Sequence, residues 1–79
     1  MTKRETNLLE EWRTHTDNID DLTEAINQLT GGNAAVSALV YEFGLESRRA
    51  ERIKAEIGCE TDTEALHLWA KSRKGQENA

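Results

Sequence analysis

The first thirty residues carry a regular stripe of largely apolar side chains. Its members are four and three residues apart in alternation, which places them on one face of an α-helix and forms a heptad pattern. This association stripe consists of Leu8, Trp12, His15, Ile19, Leu22, Ile26 and Leu29. The spacing predicts one helix over Lys3–Leu29, started by a capping box of Thr2 and Glu5. A break near residues 16–18, where three polar side chains could each cap a new helix, is the alternative.

The association stripe has two interpretations. Ile19 and Ile26 at one seam position, with Leu22 and Leu29 at the other, follow the distribution that favours parallel two-stranded coiled coils. His15 would set the register and could make association sensitive to pH. The sequence therefore predicts a homodimer or a partner helix bound through the stripe. A pattern of just over three heptads also describes helices packed within one chain, and this alternative stays open.

Glycines divide the chain after the first helix. Gly31 and Gly32 tolerate backbone conformations that end or bend a helix, so they predict a hinge. The hinge separates a long helix in residues 1–30 from a small helical cluster in residues 31–79. Residues 75–79 are expected to be a frayed tail.

The cluster is predicted to contain two to three short helices. The first spans Asn33–Gly44, and the next spans 47–57 with Gly58 as its cap. A capping box at Thr61–Glu64 opens the last helix. The side chains expected to face inward are Val36, Leu39, Val40, Phe43, Ala50, Ile53, Ile57, Leu66, Trp69 and Ala70. The expected fold is all-α: a long N-terminal heptad-patterned helix followed by a small cluster of short helices.

Charge is distributed unevenly along the 79 residues, whose net charge is −5. Glu5 to Glu46 contain nine acidic residues and one basic residue, whereas Ser47 to Lys74 contain seven basic and five acidic residues. The acidic face of the first helix consists of Glu10, Asp17, Asp20, Asp21 and Glu24. Such a one-sided face forgoes stabilising i,i+4 ion pairs and suits docking onto a basic protein. The alternative is a solvated face that keeps a small protein soluble.

Residues 36–53 support a second prediction, DNA binding. Their sequence can be aligned with a helix-turn-helix motif whose turn would lie at residues 43–45. The side chains available to contact bases and phosphates would be Arg48, Arg49, Arg52 and Lys54. Two features oppose this interpretation. Val40 stands where a smaller residue usually allows the helices to cross closely, and the chain as a whole is acidic.

The sequence offers no catalytic, cofactor-binding or metal-binding residues. The single cysteine, Cys59, lacks the base and orienting group that a nucleophile needs. His15 and His67 are 52 residues apart and do not form a zinc pattern with it. Lacking a signal peptide and a membrane-length apolar run, the chain is expected to be cytoplasmic.

The favoured function is therefore regulation by binding, with no enzymatic activity. A small acidic protein would sequester or block a larger basic protein associated with nucleic acid, as phage or plasmid inhibitors, antirepressors and antitoxins do. The alternatives are a dimeric helix-turn-helix transcription regulator and a structural assembly adaptor. No small-molecule substrate, cofactor or membrane contact is expected.

Overall fold

The computed structural model describes residues 2–29 and 34–77, and these ranges form three α-helices. Helix α1 spans Lys3–Gln28, α2 spans Ala34–Ile57 and α3 spans Asp62–Glu77. The fold class is as predicted, since the described part of the chain has a long first helix followed by two shorter helices. The predicted hinge at Gly31 and Gly32 lies outside the described residues.

Helix α1 begins at the predicted capping box and continues without a break. The amide of Glu5 donates to the Thr2 hydroxyl at 3.2 Å, and the Thr2 amide donates to the Glu5 carboxylate at 3.1 Å. Thr16, a candidate cap for a second helix, instead donates its hydroxyl to the carbonyl of Arg13 at 2.9 Å. Because that hydroxyl bonds back to the preceding turn, it does not cap a new start.

The predicted end of a helix at Gly44 is wrong. Helix α2 runs through Gly44 and joins the two short helices expected on either side of it. The reason is the packing face: Phe43, Glu46, Ala50 and Ile53 follow one another at steps of three and four residues, so a continuous helix keeps them all on the side facing α1. That packing outweighs the roughly 1 kcal/mol by which glycine disfavours a helix interior.

The connection between α2 and α3 has the predicted glycine cap and one of the two hydrogen bonds of the predicted capping box. Gly58 adopts a φ of +91°, and the Cys59 amide donates back to the Lys54 carbonyl at 3.1 Å. This is the Schellman arrangement, in which glycine accepts the left-handed conformation. The Thr61 hydroxyl then accepts from the Glu64 amide at 3.2 Å, while the Glu64 carboxylate accepts from the amide of Glu60.

Helix α3 differs from prediction in register and in length. Leu66 is 41% exposed and Ala70 is also exposed, so neither faces inward as expected. Ala65 is fully buried and Leu68 packs against the core in their place. The helix continues to Glu77, beyond the predicted start of a frayed tail at residue 75. Alanine is small and only weakly hydrophobic, so Ala65 and Ala70 did not show clearly which side of α3 is apolar. The predicted inward face began at Leu66, one residue after Ala65, which is the buried one.

Buried residues are confined to one end of the molecule. We call residues 3–16 and 46–77 the head, and residues 17–29 and 34–45 the arm. The buried side chains are Leu9, Trp12, Glu46, Ala50, Ile53, Cys59 and Ala65, all in the head. No described residue of the arm is buried. The molecule is accordingly elongated, with extents of 48 × 23 × 18 Å. Among the described residues, the ion pairs and the cation–π contact between α3 and the other two helices all involve residues of the head.

Candidate protein-binding surface

Two contacts fix how α1 and α2 lie against each other. Arg4 near the start of α1 is 4.0 Å from Glu56 near the end of α2, and His15 hydrogen-bonds Glu46 further along. As the residue number rises on α1 it falls on α2, so the two helices are antiparallel. This pairing brings the association stripe of α1 against the apolar face of α2.

The association stripe is used for packing within this chain. Trp12 is buried, and Leu8 and Ile19 pack against the same core cluster. Leu22 and Ile26 are half-buried in the arm, and Leu29 at its end is 39% exposed. Packing within the chain, the alternative left open by the sequence, therefore accounts for the stripe from Leu8 to Ile19. A homodimer through the whole stripe stays a prediction, and it would need a second chain to displace α2 from these positions.

Glu46 occupies the place where the head meets the arm. It is a buried carboxylate that accepts hydrogen bonds from Asn18 at 3.5 Å and Arg49 at 2.9 Å, besides its bond with His15. Burial acts to raise the pKa of Glu46, but the hydrogen bonds from His15, Asn18 and Arg49 outweigh it and hold the pKa below its ordinary value. Glu46 was not among the residues predicted to face inward, although its spacing from Phe43 and Ala50 on α2 could have identified it.

Trp69 attaches α3 to α1 through two arginines. The Arg13 and Arg73 guanidiniums lie 5.2 and 5.3 Å from the centre of its ring. Each arginine also meets a carboxylate of α1: Arg13 is 3.2 Å from Asp17, and Arg73 is 3.9 Å from Glu10. Cations over the face of an indole are attracted by its electron density, so the Arg13–Trp69 contact and the Arg73–Glu10 pair together tie α3 to α1.

The predicted acidic face is consequently divided into two parts. Glu10 and Asp17 are paired with arginines, as described above. Asp20, Asp21 and Glu24 are exposed, and no basic side chain in the described ranges lies within ion-pair distance of them. Glu42 on α2 adds a fourth carboxylate of the same kind. We call Asp20, Asp21, Glu24 and Glu42 the free acidic set.

Three carboxylates line a shallow groove on one side of the arm: Asp21 and Glu42 of the free acidic set, and Glu46. The groove is also lined by Asn18 and Leu22. Arg49 pairs with Glu46, but Asp21 and Glu42 have no ion pair among the described residues, and no lysine or arginine occurs between Arg13 and Arg48 in the sequence. Neighbouring like charges repel, so a cationic side chain from outside would be favoured here.

The other side of the arm carries a groove without charged residues. It is lined by Thr23, Ile26 and Asn27 from α1 and by Val40 and Phe43 from α2. We call these five residues the apolar groove. Val40 is 52% exposed, so the groove is open to solvent. Val40 was predicted to face inward, and this prediction is wrong because α3 packs on the head and leaves Val40 uncovered.

The helix-turn-helix prediction is wrong in its central feature. Residues 43–45 lie within α2, so they form no turn, and residues 48–54 are not a separate recognition helix. Two of the four proposed DNA-contacting side chains are engaged in ion pairs: Arg49 with Glu46, and Lys54 with Glu51 and Asp62 at 2.8 and 3.0 Å. Only Arg48 and Arg52 remain exposed without an ion pair in the described structure.

Cys59 is placed for packing. It is buried in the head core, and burial together with the nearby Glu64 raises the pKa of the thiol, although Lys54 acts in the opposite direction. A raised pKa disfavours the nucleophilic thiolate. In residues 2–29 and 34–77, no three His, Cys, Asp or Glu side chains are grouped to hold a metal ion.

Comparisons with protein-family models, curated proteins and solved structures found no match in any of the three. None of the three described helices combines the length and the apolar character that crossing a bilayer requires.

Proposed function

We propose that this protein regulates a basic protein partner by binding it stoichiometrically through the acidic arm. The observation that carries the proposal is the free acidic set: four carboxylates that have no ion pair with any described residue, on a two-helix arm whose sequence contains no lysine or arginine. Structural helices commonly offset such charges with i,i+4 partners, and α1 does so only at Arg13 and Asp17.

Electrostatic attraction would then raise the rate of association and favour basic partners over others. Carboxylates of one sign on a narrow arm add their fields, which steers a basic surface toward them. Affinity should fall as salt is added, because exposed charges are screened over about 8 Å at physiological ionic strength. A partner that normally holds nucleic acid would present such a basic surface, and occupying that surface would block it.

The test compares two double variants in a pull-down from the native host, read out by mass spectrometry. Asp20→Lys/Asp21→Lys reverses charge on the arm, and Glu11→Lys/Glu60→Lys reverses charge on exposed residues of the head. Each double variant changes the net charge by +4, from −5 to −1. We expect a basic protein to be retained by the wild type and the head variant and lost by the arm variant. Equal retention by both variants, or affinity that does not change with salt, would contradict the proposal.

A further inference from the structure

The apolar groove is the continuation of a surface that α3 covers in the head. Thr23 follows Trp12 by eleven residues on α1, and Phe43 precedes Lys54 by eleven residues on α2. Eleven residues make about three helical turns, so each pair lies on one face of its helix. In the head, Trp12 shares a core cluster with Ala65 of α3, and Lys54 pairs with Asp62 at the start of α3. The apolar groove therefore opens on the side of the α1–α2 pair where α3 lies.

The arm lacks the third helix that the head has. In the head, Trp12, Ala50 and Ile53 are buried in the same core cluster as Ala65 of α3, whereas in the arm Ile26 and Phe43 are only half-buried and Val40 is exposed. The same two helices thus have a covered and an uncovered stretch along one groove. An added helix over the arm would bury Val40 and Phe43 as α3 buries the head residues.

The charges beside the apolar groove indicate which kind of helix fits. Asp20 and Glu24 precede the groove residues Thr23 and Asn27 by three positions each, so they form the outer edge of the groove on α1. Neither carboxylate has an ion pair among the described residues, and the α2 edge supplies no cation. A helix with apolar side chains facing the groove and basic side chains beside Asp20 and Glu24 would cover the apolar residues and pair with the two carboxylates.

We infer that the apolar groove binds an amphipathic basic helix of a partner protein, in the position over the arm that corresponds to that of α3 over the head. The inference rests on the proposed function and adds to it the secondary structure of the partner segment and the position at which it binds. The α1 stretch of the arm from Asp17 to Gln28 is twelve residues, or about 18 Å of helix, so a partner segment of about twelve to fourteen residues would span it.

The probe for this inference is a synthetic helix-forming peptide of about fourteen residues, with leucines on one face and lysines along the edges. A second peptide carries glutamate at every lysine position. Binding is measured by fluorescence anisotropy at about 50 mM salt, where electrostatic attraction is weakly screened.

The protein variants are Val40→Glu, in the groove, and Tyr41→Glu, its neighbour outside the groove. Tyr41 is 67% exposed, so both variants add the same charge at an exposed site on the same helix. Circular dichroism checks that both stay helical, and the uncharged variant Val40→Gln tests the apolar contact alone.

We expect the wild type to bind the lysine peptide and not the glutamate peptide. Val40→Glu should weaken binding by about tenfold or more, equivalent to about 1.4 kcal/mol, and Val40→Gln should weaken it less. Tyr41→Glu should stay within about twofold of the wild type. Equal weakening by Val40→Glu and Tyr41→Glu would overturn the inference, since charge alone would then explain both.

Two further outcomes would also overturn it. If Asp20→Lys/Asp21→Lys abolishes peptide binding while Val40→Glu and Val40→Gln have no effect, the acidic proposed function stands and the groove has no part in it. If sedimentation shows a wild-type dimer that Val40→Glu converts to a monomer, the groove holds a second copy of this chain.

Discussion

His15 of α1 and Glu46 of α2 are joined by a hydrogen bond of 2.5 Å between Nδ1 and Oε2 at the point where the head meets the arm. The carboxylate is buried, and Asn18 and Arg49 complete its set of donors. Buried polar groups are stable only when their hydrogen bonds are made. This cluster therefore specifies how far α1 and α2 slide along each other, because a shift of either helix would leave a carboxylate buried without donors.

Removing the Glu46 carboxylate should destabilise the fold. We expect Glu46→Ala to lower the free energy of unfolding by about 1–3 kcal/mol, since His15 and Asn18 lose their acceptor. Glu42→Ala, one turn earlier on an exposed position of α2, should change it by less than about 0.5 kcal/mol. Urea denaturation followed by circular dichroism measures both variants. Equal, small losses would show that the cluster does not fix the register.

Acid should weaken the same contact. The pKa of Glu46 in the folded chain lies below its ordinary value of 4.5, so its contribution is complete above that value and is lost as pH falls through the folded pKa. We expect thermal stability to decline below about pH 4.5 and to decline less steeply in Glu46→Gln. The hydrogen bonds from Thr2 also lower the pKa of Glu5, but Glu5 is present in both proteins and its effect cancels. Parallel pH profiles would contradict the assignment to Glu46.

Trp69 should be replaceable by another aromatic residue but not by alanine. Trp69→Ala removes the ring that both Arg13 and Arg73 contact and should lower the free energy of unfolding by about 2–4 kcal/mol. Trp69→Phe keeps an aromatic face and removes an indole N–H that is buried without an acceptor in the described structure, so it should cost less than about 1 kcal/mol. Thermal unfolding distinguishes the two, and a stable alanine variant would show that this stack does not hold α3.

The two glycines flanking the second half of α2 should respond in opposite directions to alanine. A Cβ at Gly44 would meet nothing within 4 Å, and the residue is helical, so Gly44→Ala should stabilise the protein by about 0.5–1 kcal/mol. Gly58 has a φ of +91°, so Gly58→Ala should destabilise it by about 1–2 kcal/mol. Chemical denaturation of both variants is the measurement. Destabilisation by Gly44→Ala would contradict a continuous helix and would support the turn predicted at residues 43–45.

Duplex DNA should not bind this protein usefully. Of the four candidate DNA-contacting residues, Arg49 and Lys54 are already ion-paired, and the net charge of −5 opposes approach to phosphates. We expect no retardation of native genomic fragments in a gel-shift assay at about 50 mM salt, where phosphate binding is strongest. Arg48→Ala/Arg49→Ala/Arg52→Ala should then lower stability through the loss of the Arg49 contact to Glu46. Salt-sensitive binding that the triple variant removes would instead support a DNA-binding function.

Local signals predicted much of the secondary structure. The heptad spacing from Leu8 to Leu29 and the capping pair of Thr2 and Glu5 predicted α1 nearly to the residue. Gly58 and Thr61 likewise predicted the end of α2 and the start of α3. These features depend on neighbours within a few positions, which is why the sequence pattern identifies them.

Gly44 and Leu66 show where local signals were insufficient. Gly44 resembles a helix end when it is read with its neighbours, but the face that contains Phe43 and Ala50 packs along α1 and keeps the helix continuous. Leu66 was expected inside on hydrophobicity alone, whereas the approach of α3 to the head buried Ala65 instead. In both cases contacts with a distant helix decided the outcome.

The amino-acid sequence by itself determined an all-helical chain, the long first helix, its caps and an acidic front half, because helix periodicity, capping and charge are properties of nearby residues. Only the tertiary structure decided that Glu10 is paired with Arg73 of α3, whereas the Arg13–Asp17 pair is an i,i+4 contact within α1. In the part of the chain that the structure describes, Asp20, Asp21 and Glu24 have no such partner. The tertiary structure also decided that Val40 lies in an open groove while Ala50 is buried, since α3 covers the head and leaves that groove of the arm open. Which partner a charge or an apolar face meets depends on how the helices pack, and that is settled by residues far apart in the chain.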